Sequence, residues 1–161
     1  MSESVKSKKS WREKLEKAQE PKVVEIPQRM SKQCGSGTML IPRPLDVDAL
    51  MRKVSKGKLV TQSEIRNRLA KDSKTDTACP ITTGIFIRIA AEAAEEDIQS
   101  GSEKATPYWR VIRDDGSLID KFPGGVASQA RRLKDEGFAI EPAVGSKPPK
   151  VRDFAGKLIK L

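Results

Sequence analysis

The amino-acid sequence predicts a mainly α fold with a small β-hairpin, arranged as a winged helix-turn-helix domain between two flexible tails. Three observations favour this fold class. Four segments have the apolar spacing of amphipathic helices, two short apolar segments flank an Asp-Gly turn, and both ends are rich in charged and turn-forming residues. The 161-residue length suits one domain. We therefore place that domain at 41–140, a basic, disordered arm at 1–40 and a Pro/Lys-containing tail at 141–161.

Composition narrows the classes of function. The net charge is +9, from 31 Lys and Arg against 22 Asp and Glu, which favours nucleic acid as a partner. The chain has no histidine, so chemistry that depends on imidazole is excluded. Its two cysteines, Cys34 and Cys79, lie far apart and indicate neither a zinc site nor a disulfide framework. We expect a monomer without cofactor or metal, located in the cytoplasm, nucleoid or nucleus and not in a membrane, since no apolar segment approaches about 20 residues.

The N-terminal arm has one helix signal. Ser10 precedes Glu13 by three residues, a spacing typical of a helix N-cap. The segment lacks a continuous apolar stripe, so the predicted helix is marginal alone.

Two helices are predicted after Pro44. The first is indicated by apolar residues at i, i+3, i+4 and i+7, namely Val47, Leu50, Met51 and Val54. The second begins with a capping box, Thr61 to Glu64, and continues through Ile65 and Leu69.

A third helix is predicted from Cys79-Pro80, since proline is well suited to the first helical position. A spacing of four residues predicts its buried stripe as Ile81, Ile85, Ile89 and Ala93. The other faces would then carry Thr82, Thr83, Phe86 and Arg88.

The hairpin and a fourth helix follow. The segment 107–112 leads into Asp115-Gly116, a tight-turn signal. The last helix opens at Gly124-Gly125 and ends near Gly137, with Val126, Ala130 and Leu133 inside. Within the tail, Phe154, Leu158 and Ile159 either dock or stay loose.

The order helix, short helix, helix, hairpin, helix is that of a winged helix-turn-helix. In this interpretation the helix from Pro80 is the recognition helix and residues 113–121 are the wing. The alternative is a small α+β domain in which the same order serves only packing. Tyr108 and Trp109 likewise have two interpretations: rings that stack on bases beside Arg110, or half-buried strand residues.

Residues 45–140 resemble the DNA-binding domain of the alkylguanine-DNA alkyltransferases, also called methylated-DNA-protein-cysteine methyltransferases. Gly57-Lys58-Leu59-Val60-Thr61-Gln62-Ser63-Glu64-Ile65 resembles the family's G-x-V-x-(S/T)-Y-x-x-(I/L), and Gly84-Ile85-Phe86-Ile87-Arg88 resembles its G-x-A-(L/M)-R. Pro107-Tyr108-Trp109-Arg110-Val111-Ile112 matches P-C-H-R-V-(I/V). The C-terminal pattern G-G-x-x-x-(K/Q)-x-x-L-L-x-x-E-G is followed by Gly124-Gly125, Gln129, Leu133 and Glu136-Gly137.

The departures from the family pattern predict a loss of chemistry. Tyr108 stands at the family's acceptor cysteine and Trp109 at its histidine, while Glu136 is retained. A phenol with a pKa near ~10 and no neighbouring imidazole is a poor nucleophile at neutral pH. The pattern is thus similar to the alkyltransferase-like proteins, which bind alkylated guanine, bend DNA and hand the lesion to excision-repair proteins.

The resemblance also implies site residues. The lesion pocket would consist of Pro107, Tyr108, Trp109, Arg110 and Glu136. Double-stranded DNA would be contacted by Ser63, Arg66, Thr82, Thr83, Arg88 and Arg113. The family's phosphate-pressing tyrosine falls at Gln62 and its intercalating arginine near Ile81, where an apolar wedge is an alternative.

Two further hypotheses stay open. One is a winged-helix DNA-binding or scaffold module without a lesion pocket, which rings packed inward would favour over a pocket open toward the recognition helix. The other is a divergent alkyltransferase that uses Cys79, since a cysteine at a helix N-terminus can be reactive.

Overall fold

A computed structural model describes residues 10–17 and 19–161 of the chain. The α-helices of this part are α1 (Trp11–Glu16), α2 (Ser31–Cys34), α3 (Pro44–Met51), α4 (Gln62–Ser73), α5 (Pro80–Gln99) and α6 (Gly125–Asp135). The strands are short: β1 (Lys22–Glu25), β2 (Thr38–Ile41), β3 (Val60–Thr61), β4 (Thr77–Ala78), β5 (Val111–Ile112), β6 (Ile140–Glu141) and β7 (Lys150–Val151). The predicted mainly α fold is confirmed. No helix of the described part is long and apolar enough to cross a membrane.

The strands form three small sheets. In the first, β2 lies between β1 and β4, antiparallel to β1 with Val23 opposite Leu40 and parallel to β4 with Leu40 opposite Ala78. In the second, β3 and β5 are parallel, with Val60 opposite Val111. In the third, β6 and β7 are antiparallel. The first sheet joins the N-terminal segment to the turn between α4 and α5, and the second joins the start of α4 to the strand that follows Tyr108.

The predicted helices α3 to α6 all form. The Thr61 hydroxyl accepts a hydrogen bond from the backbone N–H of Glu64 at 3.2 Å and caps α4. Pro80 lies at the start of α5, where its missing N–H is harmless. α4 and α5 follow each other in the chain, with β4 between them.

The predicted buried stripe of α5 is wrong at Ile81 and Ile85 and right further along the helix, where Ile89 packs against the main core and Ala93 is buried. Ile81 is 61% exposed and Ile85 is 52% exposed, whereas Thr83 and Phe86 are buried. The inward face continues through small side chains at Ala90, Ala91, Ala93 and Ala94. Alanines allow close approach of α1 and α3, so the face that carries them turns inward and the first two isoleucines of α5 turn to solvent.

The N-terminal arm is ordered where the structure describes it, which corrects the prediction for 1–40. Ser10 caps α1 as predicted, accepting from the N–H of Glu13 at 3.1 Å. Leu15 is fully buried in the main core, and the N–H of Trp11 donates to Glu96 of α5 at 2.6 Å. A helix that is marginal alone is stabilised here by packing on α5.

The predicted β-hairpin does not form as a strand pair. The tight turn is present, since the N–H of Gly116 donates to the carbonyl of Arg113 at 2.9 Å and Gly116 has a φ of +87°. However, β5 pairs with β3, and the N–H of Leu118 donates to the carbonyl of Pro149 at 2.9 Å. β3 thus lies beside β5 in the place expected for the second strand of the wing, and residues 116–118 pair with the C-terminal segment instead.

The C-terminal tail is also docked, which corrects the prediction of a flexible tail. Val151 is buried in a second core cluster with Leu59, and the N–H of Ile159 donates to the carbonyl of Leu59 at 3.0 Å. A Cβ atom at Gly116 would lie 2.3 Å from the Phe154 ring. Glycine is therefore required there by both backbone conformation and space.

Candidate nucleic-acid interface

A groove of about 370 Å³ runs between the N-terminal half of α5 and the segment 113–122. Its apolar surface comes from Ile81, Ile85, Ile119 and Phe122, and its basic residues are Arg88, Arg113 and Lys121. We call this feature the α5 groove. An apolar floor with a cationic border suits a nucleotide, whose base is apolar on its faces and whose phosphate is anionic.

The cations of the α5 groove differ in their partners. Arg88 is exposed on α5, with its guanidinium 6.0 Å from the centre of the Trp11 ring. Arg113 forms an ion pair with Asp120 at 2.8 Å, and the two side chains are 40% and 68% exposed. Such a surface pair contributes little to stability, about 0 to 1 kcal/mol, so Arg113 can exchange Asp120 for another anion.

The predicted contacts Thr82 and Thr83 do not both face solvent. Thr82 is half-buried and its hydroxyl donates to the Cys79 sulfur at 3.4 Å. Thr83 is 1% exposed, and its hydroxyl has no hydrogen-bond partner within the described residues. Thr83 therefore lies beneath the exposed face of α5 and not on it.

Ser63 and Arg66 are brought together at the N-terminus of α4. The side-chain nitrogen of Arg66 donates to the Ser63 hydroxyl oxygen at 2.9 Å. The carboxylate of Asp114 accepts hydrogen bonds from the N–H of Ser63, at 3.2 Å, and from the Ser63 hydroxyl. The group predicted to contact DNA phosphate is thus engaged by a carboxylate of the chain itself.

Tyr108 is fully buried, in contrast to an open lesion pocket. Its ring packs edge-on against Trp109 and Phe122, with ring centres 5.3 Å apart in both pairs. Its hydroxyl donates to Glu95 of α5 at 3.0 Å. Burial, assisted by the negative charge of Glu95, raises the pKa of Tyr108 to about 12.

Trp109, Arg110 and Glu136 form a closed cluster. The Trp109 ring N–H donates to Glu136 at 3.0 Å, and Arg110 donates to both carboxylate oxygens at 2.9 and 2.6 Å. Arg110 also donates to the carbonyl of Val54 at 2.6 Å. Burial alone would raise the pKa of Glu136, but hydrogen bonds from Arg110 and Trp109 and the charge of Arg110 outweigh it and lower that pKa. The retained glutamate therefore acts as the acceptor of an ion pair and an indole N–H.

Three residues that complete this arrangement were not predicted as site residues. Arg132 donates to both oxygens of Glu95 at 3.0 Å and lies 5.9 Å from the Tyr108 ring centre and 5.0 Å from that of Trp109. Gln129 is fully buried and joins three backbone groups. In the sequence Gln129 stands out only as part of the C-terminal pattern, and nothing local marks Glu95 or Arg132 as partners of a tyrosine.

The residues predicted to line a lesion pocket thus lie together, and their own side chains fill the space between them. The carbonyl of Pro107 accepts a hydrogen bond from the N–H of Arg110 at 3.2 Å. The space between α5 and α6 is occupied by four of the predicted side chains, those of Tyr108, Trp109, Arg110 and Glu136. A shallow depression reaches Trp109 and Glu136 from the side of Lys56 and α6, away from the α5 groove. The rings pack inward, which favours a module without a lesion pocket at Tyr108.

Cys79 is poorly placed for chemistry on a base. Its side chain is buried with Met30 and Met39 in a small apolar cluster, against which Cys34 packs. Its backbone N–H donates to the carbonyl of Leu40 at 2.8 Å. An alkylated base would have to displace this cluster to reach the sulfur.

No protein-family model matches the sequence, and no curated protein matches it. A solved structure that the chain resembles is the crystal structure of S. pombe Atl1 in complex with damaged DNA containing O6-carboxymethylguanine. The sequence identity is 18%, the match covers 73% of this chain and 94% of that chain, and the TM-score is 0.49. This degree of likeness assigns neither a family nor a ligand, so the resemblance to alkyltransferases stays a prediction from the motifs.

Proposed function

We propose that this chain is a DNA-binding protein that contacts double-stranded DNA through the exposed face of α5. In this proposal it does not transfer alkyl groups. The observation that carries the proposal is the α5 groove, where exposed Ile81 and Ile85 lie beside Arg88, Arg113 and Lys121. Ile81 and Ile85 lie one helical turn apart and form a shared apolar patch with a cationic border, the kind of surface that marks a contact site. The net charge of +9 favours a polyanion as the partner.

In this proposal α5 enters the major groove and Arg88 contacts the DNA directly. Arg113, Ser63 and Arg66 contact phosphates from the segment after β5 and from the start of α4. Ile81, at the N-terminal end of α5, is the candidate apolar wedge between bases. Thr82 lies close to this surface, whereas the burial of Thr83 excludes it from direct contact with a base edge.

The proposed lack of alkyl transfer rests on the burial and the raised pKa of Tyr108, the residue at the family's acceptor position. A phenol with a pKa of about 12, buried and donating to Glu95, is neither ionised nor reachable at neutral pH. Incubation with a duplex that carries O-alkylated guanine should therefore leave the alkyl group on the DNA. Mass spectrometry of the protein tests this statement, and an alkyl adduct on Tyr108 or Cys79 would contradict it.

Recognition of alkylated guanine is the finer part of the proposal. Since Tyr108 fills its own site, the α5 groove is the place where an extruded base would be held, over Phe122 and Ile119. If this is the function, handing the bound lesion to excision-repair proteins is the role that the family resemblance implies. The second candidate is a DNA-binding or scaffold module that reads no lesion, and the inward packing of Tyr108 favours it.

Fluorescence anisotropy with matched duplexes separates the two candidates. Tighter binding to O-alkylated guanine than to guanine supports lesion recognition, and equal affinity supports the second candidate. Arg88→Ala should weaken binding to both duplexes and, if Arg88 meets a phosphate, reduce the salt dependence by about one phosphate contact. Arg131→Ala is the matched control, since Arg131 is exposed on α6 outside the α5 groove. Absence of binding to any duplex at low ionic strength would refute the proposal.

A further inference from the structure

A second basic surface is formed by the loop between α3 and β3. This loop, residues 52–58, carries four cations, and no acidic residue occurs between 49 and 63. Its lysines are exposed, and so is Lys157, whose backbone carbonyl accepts a hydrogen bond from the N–H of Leu59 at 2.9 Å. We call Lys53, Lys56, Lys58 and Lys157 the lysine patch. Within the part of the chain that the structure describes, none of these four lysines forms an ion pair.

The loop that carries the lysines has an ordered backbone. Val54 is 1% exposed, and its carbonyl accepts a hydrogen bond from the Arg110 side chain at 2.6 Å. Between Val54 and the buried Leu59 the chain makes a tight turn, in which the N–H of Lys58 donates to the carbonyl of Ser55 at 3.1 Å. Because the backbone is already fixed, binding of an anion to these lysines orders side chains only and costs little main-chain entropy.

The two basic surfaces lie at opposite ends of the β3–β5 sheet. The strands are parallel, and the residues that follow them, Gln62 and Arg113, line the α5 groove. Lys58 precedes β3 at the other end, and about 13 Å of extended chain separates it from Gln62. Lys56 lines a depression with Trp109, and no residue of this depression lines the α5 groove. We therefore expect a straight duplex in the α5 groove to leave the lysine patch uncovered.

We infer that the lysine patch is a second surface for double-stranded DNA, so that one molecule holds two duplex segments at once. Its four cations complement a polyanion, and lysine binds phosphate as a point charge. Val54, the one apolar side chain of 52–58, is buried, so the loop offers charge without the apolar anchor that protein partners commonly use. This second contact is independent of base sequence. The inference rests on the proposed function, because the first duplex is the one in the α5 groove.

The number of duplexes bound by each molecule tests the inference. Sedimentation equilibrium of the full chain with excess short duplex at low salt should give two duplexes per protein. Changing the three loop lysines together to glutamine should weaken the second site about tenfold or more and lower its salt slope by about three, one for each lost phosphate contact. The matched control changes three other exposed lysines to glutamine, with the same loss of charge: Lys22, Lys32 and Lys147. An equal loss in both sets would attribute the effect to net charge and overturn the inference.

Arg88→Ala separates this inference from the proposed function. If both hold, Arg88→Ala weakens one of the two sites and leaves the site at the lysine patch at wild-type affinity. A wild type that binds one duplex, weakened by Arg88→Ala and not by the lysine changes, removes the inference and keeps the proposed function. A wild type that binds no duplex removes both.

A poly-glutamate peptide distinguishes DNA from an acidic protein segment as the occupant of the lysine patch. If the second site is for DNA, excess short duplex should displace the peptide from the wild type. Peptide binding that the lysine changes abolish, together with a stoichiometry of one duplex per wild-type protein, would assign the patch to an acidic protein segment and refute the DNA surface.

Discussion

Ionisation of Tyr108 should destabilise the protein at high pH, because the phenolate would be buried beside the carboxylate of Glu95. The folded state raises the pKa of Tyr108 from 10.0 to about 12. At about 1.4 kcal/mol per pKa unit, the fold favours the neutral phenol by about 3 kcal/mol. The sign follows from proton binding: between pH 10 and 12 the unfolded chain releases the proton and the folded chain keeps it. This contribution is therefore fully present below pH 10 and is lost as the pH rises through 12.

The measurement is direct, since Tyr108 is the chain's single tyrosine. Ultraviolet absorbance of the phenolate should titrate near pH 12 in the folded protein and near 10 in denaturant. Tyr108→Phe is the control for unfolding followed by circular dichroism, because lysines titrate in both proteins but only the wild type has the phenol. A folded-state midpoint near 10 would refute the closed arrangement, and it would return Tyr108 to a solvent-filled pocket of the kind the motifs predicted.

The remaining predictions concern the network around the site. Gln129→Leu should lower the free energy of unfolding, measured in urea, by about 3 kcal/mol, because three backbone groups each lose a hydrogen bond that contributes about 1 kcal/mol. A decrease below about 1 kcal/mol would contradict this prediction. The fold lowers the pKa of Glu136, so ionised Glu136 stabilises the folded state. This stabilisation is present above pH 4.5, the ordinary pKa of the group, and is lost as the pH falls through the lower pKa of the folded state. Glu136→Gln should therefore weaken this part of the acid dependence of the melting temperature, and an unchanged acid profile would exclude the cluster as its source. Deletion of 158–161 should lower the melting temperature, because the hydrogen bonds of Ile159 to Leu59 and of Leu161 to Glu64 are lost, and an unchanged value would show that the docked end contributes no stability.

The helices could be predicted because their signals are local. The Thr61 cap, Pro80 and the glycines before α6 mark element starts within a few residues of sequence. Strand pairing could not be predicted in this way. The partner of β5 is β3, which precedes α4, and Leu118 pairs with Pro149 of the tail. The Asp-Gly turn predicts a reversal of the chain but not which strand lies beside it.

The exposed face of α5 was mispredicted for a related reason. Isoleucines spaced by four residues form one apolar stripe, and Phe86, Ile87 and the alanines form another on the same helix. Periodicity alone does not decide between them, because the choice depends on how closely α1 and α3 approach. The consequence is functional, since it places Ile81 and Ile85 in the α5 groove and hides Thr83.

The motif around Tyr108 predicted the loss of transfer chemistry but not the closure of the site. A buried phenol requires an acceptor, and Glu95 supplies it from near the C-terminal end of α5. The half-buried carboxylate of Glu95 in turn pairs with a cation, Arg132 of α6, which also lies over both aromatic rings. These partners lie outside the P-Y-W-R segment, so only the fold reveals that the two rings are held inward. Tyr108 packs against the rings of Trp109 and Phe122 and donates a hydrogen bond to Glu95. A base could therefore enter the site of Tyr108 only by breaking the hydrogen bond to Glu95. A lesion, if the protein binds one, is therefore expected in the α5 groove and not against the residue that replaces the acceptor cysteine.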